Sequence, residues 1–171
     1  MSKILVIEDE AAIRRVLKKI LTEESKDYLV EEAEDGLAGM EKIKEEDYDL
    51  VLCDIKMPKM DGIEVLEATK KIKPETPFVM ISGHGSVESA VRSTKLGAFD
   101  FIEKPLSLDR VLLVVANGLK QKVLQDENLR LRAEVSERWT MIGESDAIVA
   151  LRKQINRAAP TNGRVLIFGE N

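Results

Sequence analysis

The chain has 171 residues, 44% of them hydrophobic and 33% charged, enough for one ordinary domain with an appended segment and a core that needs no disulfide or metal staple. A net charge of −5 argues against a broad basic footprint for nucleic acid, and a single cysteine, Cys53, excludes an intrachain disulfide and suits a reducing compartment. No apolar run approaches the ~20 residues that cross a bilayer, and Met1-Ser2-Lys3 leads directly into a strand pattern, so a cytoplasmic protein without a membrane partner is expected.

The run Lys3-Ile4-Leu5-Val6-Ile7 predicts a buried strand that ends on Glu8-Asp9. Ile13, Val16, Leu17, Ile20 and Leu21 follow at spacings of three and four, one apolar stripe of a helix. Tyr28 to Ala33 predicts a more polar second strand nearer an edge. After Asp35-Gly36 a short helix carries Leu37, Met40 and Ile43 on one face. The third strand, Asp49-Leu50-Val51-Leu52-Cys53, is closed by Asp54 and the turn Ile55-Lys56-Met57-Pro58. Asp61-Gly62 opens a helix with Ile63, Val65, Leu66 and Ala68 that Pro74 stops. Phe78-Val79-Met80-Ile81 predicts a fourth strand followed by Ser82. Ser86 caps the next helix, which ends at Gly97. Phe99-Asp100-Phe101-Ile102 is a fifth strand leading to Lys104-Pro105. This alternation predicts an α/β fold, a parallel sheet with helices on both faces.

From Ser107 one long helix is predicted, with Val111, Leu112, Val114, Val115 and Leu119 able to pack on the sheet. Further on, Leu124, Asn128, Leu131 and Val135 alternate spacings of four and three. That pattern fits the seam of a parallel two-stranded coiled coil with Asn128 at an a position, and equally a charged helical linker with incidental leucines. Trp139 to Asn171 holds Ile142-Gly143-Glu144-Ser145, a helical stretch and the apolar run Arg164-Val165-Leu166-Ile167-Phe168.

A parallel sheet gathers its ligands at the C-terminal ends of its strands. Glu8, Asp9, Asp54, Ser82 and Lys104 all fall there. Each alone has a plain structural role: acidic residues before a helix, an aspartate or serine in a turn, a solvated lysine. Together, three carboxylates on adjacent strand ends repel one another unless a cation is present, and oxygen ligands with a partly open site suit Mg²⁺. With the metal and Lys104 neutralising an incoming phosphate, Asp54 can act as nucleophile in an in-line displacement.

Val6-Ile7-Glu8-Asp9-Glu10, Cys53-Asp54-Ile55-Lys56-Met57-Pro58, Asp61-Gly62, Ile81-Ser82-Gly83 and Glu103-Lys104-Pro105 resemble, in that order, the receiver domain of two-component response regulators. The resemblance covers residues 1 to about 120 and implies a flavodoxin-like (βα)5 doubly wound sheet. It also implies a signalling module rather than an enzyme. Asp54 would be the phosphoacceptor, charged by a sensor histidine kinase. Asp9 would bind Mg²⁺ directly and Glu8 through water, with the Lys56 backbone carbonyl as a further ligand. Lys104 would pair with the phosphoryl group, and the Lys104–Pro105 bond would be cis. Ser82 would hydrogen-bond a phosphoryl oxygen, and Phe101 would be the aromatic switch that follows it, an ordinary strand aromatic being the alternative. Glu8 stands where the family more often has aspartate.

Ile81-Ser82-Gly83-His84-Gly85-Ser86, the Gly97–Pro105 stretch and the extended last helix resemble nitrogen-regulatory activators of sigma-54 RNA polymerase. The tail resembles the opening of their AAA+ domain, whose phosphate loop would need its second glycine and its lysine after Asn171. The expected division is a receiver over 1–120, a helical linker over 121–138 that one of the two readings makes a coiled coil, and an N-terminal AAA+ fragment over 139–171. A piece of a longer regulator is expected, homodimeric, reaching sigma-54 polymerase and DNA only through parts outside this chain. Rival readings are a phosphorylation-independent dimerisation module, a nucleotide-binding ATPase, and an aspartyl-nucleophile phosphohydrolase. The last usually has a second aspartate two residues on, where Lys56 stands. His84 and Lys56 flank the expected path of hydrolytic water, and Cys53 is expected to face the core.

Overall fold

The strand patterns become a sheet because each is short, apolar and bounded by turn residues. In a computed structural model, the described residues are 1–83, 87–138, 143–160, 166 and 168, without the side chains of Val87 and 133–138. The elements are β1 (Ser2–Ile7), α1 (Ala11–Glu24), β2 (Tyr28–Ala33), α2 (Gly36–Glu45), β3 (Leu50–Asp54), α3 (Gly62–Ile72), β4 (Phe78–Ser82), α4 (Val87–Lys95), β5 (Asp100–Glu103), α5 (Leu108–Arg138) and α6 (Asp146–Ala158). The sheet has five strands in the order β2-β1-β3-β4-β5, all pairs parallel. This is the expected flavodoxin-like (βα)5 fold, with its fifth helix, α5, extended.

Local chemistry sets the boundaries. The Asp35 side chain accepts a hydrogen bond from the Ala38 N–H at the start of α2. Asp61 and Glu64 form a reciprocal capping box on α3. Gly97, at φ 89, turns the chain after α4 in a conformation that suits a residue without Cβ. The strands alternate sides. Ile4, Val6, Leu50, Leu52, Val79, Ile81 and Ile102 meet Leu17 and Leu21 of α1 and Val111, Val114, Val115 and Leu119 of α5. Leu5, Ile7, Val51, Cys53, Phe78 and Met80 meet α2 and α3 on the other side. At about 1.5–3 kcal/mol for each fully buried large aliphatic side chain, these two layers hold the sheet. Gly39 lets α2 approach β1 closely, since a Cβ there would lie 2.5 Å from Ile7 Cδ1.

Two stripe positions differ from expectation. Val16 is 53% exposed and Leu37 is 49% exposed. Each helix buries a narrower face than its apolar pattern. Leu17 and Leu21 take the floor of α1, leaving Val16 at its flank, and Leu37 sits in the first turn of α2, beyond the contact made by Met40 and Ile43. The bond Lys104–Pro105 is cis, as the resemblance implied. Cys53 is buried, as expected. The expected Ser86 cap and His84 lie outside the described residues, as does most of the run 164–168.

By its contacts the chain divides into Met1–Asn128 and Leu129–Asn171. In the first, Leu124 is 62% exposed and Asn128 is also exposed. In the second, Leu131 is 48% exposed, the Val135 side chain lies outside the described set, and α6 is capped by Ser145, whose hydroxyl accepts from the Ile148 N–H. Among the described residues no helix is long and apolar enough to cross a membrane.

Candidate functional site

Parallel register brings the functional side chains to one edge. Ile7 of β1 lies beside Cys53 of β3, so Glu8 and Asp54 emerge from neighbouring strands at the same height. Asp54 pairs with Ile81 and Ser82 pairs with Glu103, which sets Ser82 and Lys104 on the same rim. The sharp turn after β3 is held by Gly62, whose N–H donates to the Ile55 carbonyl. A Cβ on Gly62 would fall 2.0 Å from the Asp54 carbonyl oxygen, so only glycine fits under this strand end.

Glu8 is fully buried and Asp54 is 4% exposed, while Asp9 faces solvent. Asp54 Oδ1 accepts from the Ile55 N–H at 2.9 Å and Oδ2 accepts from Lys104 Nζ at 3.1 Å. Lys104 also donates to Glu8 Oε1 at 3.0 Å and lies 3.7 Å from Glu10. Glu8 Oε2 sits 2.9 Å from Lys104 Nζ, but without hydrogen-bond alignment, and it is a buried oxygen with no hydrogen-bond donor. Burial is the main cause that pushes the Glu8 carboxyl up to about 7; Lys104 opposes the rise and Asp54 adds to it. Burial likewise raises Asp54, against Lys104. Burial alone would lower Lys104, but its bonds to Glu8 and Asp54 together carry it upward.

Among the described residues, Lys104 is the cation that lies against the carboxylate oxygens of this cluster. Glu8, Asp9 and Asp54 each offer an oxygen, and these atoms lie within 4.8 Å of one another. One ammonium does not balance three such carboxylates, and Glu8 Oε2, although 2.9 Å from it, accepts no aligned hydrogen bond. A hard divalent ion with oxygen ligands fits that donor set, and Mg²⁺ fits it best of the common ions because it retains waters and takes few protein carboxylates.

Of the predicted site residues, Glu8, Asp9, Asp54 and Lys104 form one cluster. Ser82 is 3% exposed at the next strand end, where its carbonyl accepts from the Lys104 N–H at 2.8 Å. Phe101 lies on β5 beside Met80, half-buried against the layer that contains α2 and α3. Lys56 is exposed in the loop after Asp54 and lines a groove of about 490 Å³ with Asp9, Met57, Asp61 and Arg92. Sequence reasoning missed Arg14, whose Nη1 donates to the Glu8 carbonyl at 2.6 Å and the Asp9 carbonyl at 3.0 Å, fixing the acidic loop from α1. Its signal was a basic residue one helical turn into α1, close enough to fold back. Lys59, at φ 68, pairs with Asp35 and ties the loop after β3 to the cap of α2.

Comparison with known proteins agrees with this architecture. The response regulator receiver domain model matches residues 4–116. The chain is 39% identical over 174 residues to the nitrogen assimilation regulatory protein NtrX of Azorhizobium caulinodans, covering 97% of this chain and 36% of that protein. It is 36% identical over 168 residues to the transcriptional regulatory protein ZraR of Klebsiella oxytoca, covering 98% of this chain and 37% of that one. The crystal structure of NtrX from Brucella abortus superposes with a TM-score of 0.71 at 39% identity, over 95% of this chain and 36% of that one. A CheY-like receiver domain from Methanospirillum hungatei JF-1 gives 0.69 at 34% identity, over 73% of this chain and 98% of its own. The chain thus spans little more than a third of the curated relatives it matches, and the matched span is the part that carries the acidic cluster and its lysine. The chain belongs to the response regulator receiver domain family.

Proposed function

We propose that the chain is the receiving part of a two-component regulator, in which Asp54 takes a phosphoryl group from a phosphohistidine of a sensor kinase. The observation that carries this is the position of Asp54, 4% exposed at a central strand end, with one oxygen held by a backbone N–H and the other by Lys104. Mg²⁺ held by Asp9 and Asp54, by Glu8 through water and by the Lys56 carbonyl would neutralise the phosphoryl oxygens as charge redistributes in the transfer. Asp54 supplies the attacking carboxylate oxygen, and its partners keep the side chain from rotating away. Lys104 is within reach of three carboxylates, so its ammonium can pass from Glu8 to a phosphoryl oxygen without moving its backbone. Ser82 would donate its hydroxyl to the same group, and Phe101, on the next strand, would turn inward as Ser82 moves.

The similarity to NtrX and ZraR supports an output role in transcription, carried by an AAA+ part of which 139–171 would be the beginning and 121–138 the helical connection. The exposed leucines of α5, Leu124 and Leu131, together with Asn128 support a homodimer seam. Lys56 occupies the place where a phosphohydrolase would keep its second aspartate, which favours a phosphoryl group that persists. The test is intact-mass spectrometry after incubation with Mg²⁺ and acetyl phosphate. One phosphoryl group should appear, vanish with EDTA and be absent from Asp54→Ala. Equal labelling of Asp54→Ala removes the reading.

A further inference from the structure

The groove beside Asp9 contains charges that the phosphoacceptor cluster does not use. Asp9 belongs to that cluster, and Asp61 is committed to α3, accepting from the Glu64 N–H at 2.8 Å. The cations on the same walls are Lys56 and Arg92, and among the described residues neither side chain has an ion-pair partner. Arg92 stands on α4, across the opening from the turn that follows Asp54, and its side chain is exposed. The groove's volume of about 490 Å³ leaves room for a short acyl group next to the acidic cluster. An unpaired guanidinium facing such a space is a receptor for a carboxylate, which it can bind through two parallel N–H donors.

We infer that Arg92 is a specificity-determining residue for the phosphodonor, receiving in this groove the carboxylate that departs from an acyl phosphate. The inference rests on Asp54 being the phosphoacceptor. In that transfer an Asp54 oxygen bonds to phosphorus as the bond between phosphorus and the acyl oxygen breaks. The electron pair leaves on the acyl oxygen, no proton moves, and negative charge grows on the departing carboxylate. Arg92 meets that charge, and Lys56 adds to the local positive potential. Donors with a phosphorus–nitrogen bond release a neutral amine or imidazole, and Arg92 gains nothing from them. The groove therefore favours acyl phosphates over phosphoramidates as small-molecule donors.

The experiment compares wild type, Arg92→Gln and Arg92→Lys, with acetyl phosphate and phosphoramidate as donors at saturating Mg²⁺. The second-order labelling rate is followed by intact mass. Arg92→Gln should lose about three- to fivefold with acetyl phosphate, the range of one exposed charge contact, and less than about twofold with phosphoramidate. Arg92→Lys should recover part of the loss, and raising the salt should shrink the gap between wild type and Arg92→Gln. Equal losses with both donors would mean that α4 itself was disturbed and overturn the assignment. An unchanged acetyl phosphate rate overturns it as well. Wild type left unlabelled by both donors would overturn the phosphoacceptor reading itself, and this inference with it.

Discussion

Replacing Glu8 by glutamine should stabilise the metal-free protein at pH 8 and flatten its dependence on pH. Glu8 is fully buried, and burial raises its carboxyl from 4.5 to about 7. Between those values the folded protein holds a proton that the unfolded chain has released. Stability therefore falls as pH rises from about 4.5 through about 7, and the deficit is complete above it. A separation of about 2.5 pH units corresponds to about 3 kcal/mol at 1.36 kcal/mol for each. The attraction of Lys104 is already contained in that rise; the amide NH2 must still be accommodated beside the Lys104 ammonium, so a net gain of about 1–2 kcal/mol is expected, or about 4 °C in Tm for a chain of this size. Thermal melts from pH 5 to pH 8 in chelator measure it. Wild type should lose Tm across this range while Glu8→Gln stays nearly level, and added Mg²⁺ should raise wild type more than the variant. A variant less stable than wild type at pH 8, or two parallel profiles, would refute the argument.

Lys104→Met removes the ammonium from between Glu8 and Asp54; acetyl phosphate labelling should fall by about a hundredfold, read by intact mass. Gly62→Ala drives a Cβ into the Asp54 carbonyl, and should lower stability by about 1–3 kcal/mol in urea unfolding and slow labelling as well. Glu31 is held down to about 2, first by its bond to Lys42, then by Lys3 and also by Tyr48. Its contribution is whole above about 4.5 and is lost as pH falls towards about 2, so Glu31→Gln should weaken acid melts less than neutral ones, by about 1 kcal/mol at pH 7. Deleting the residues after about 120 should shift the protein towards monomer in sedimentation if Leu124, Asn128 and Leu131 form a dimer seam; an unchanged dimer constant places any dimer on the receiver faces. With Lys56 replaced by glutamate, phosphate loss after donor removal should quicken, since a carboxylate there can activate water where an ammonium cannot.

The site was legible because each of its residues follows an apolar run, and parallel pairing turns that local pattern into spatial coincidence. Glu8, Asp54, Ser82 and Lys104 needed no side-chain knowledge to be brought to one rim. What sequence could not supply was the division of labour at close range. That Lys104 bonds to Glu8 as well as Asp54, leaving one Glu8 oxygen without a donor, depends on rotamers and sub-ångström placement. Val16 and Leu37 were misread because a helical stripe shows which residues are apolar, not how wide a contact its neighbours provide. The Glu31–Lys3–Lys42–Tyr48 network was invisible for another reason. Its members come from β1, β2, α2 and the loop before β3, and no sequence period links them.

The sheet keeps its two apolar layers apart. Side chains that meet α5 and those that meet α2 and α3 share strands but point to opposite faces, and they touch only through the backbone between them. Truncations on opposite faces, such as Val114→Ala with Leu66→Ala, should therefore add in their effect on stability, whereas pairs within one layer should not. Phe101 belongs to the layer opposite α5. A movement of its ring acts first within that layer, on the face of the sheet away from α5. The protein is insulated in this sense: substitutions that adapt one face to a new neighbour leave the packing of the other undisturbed.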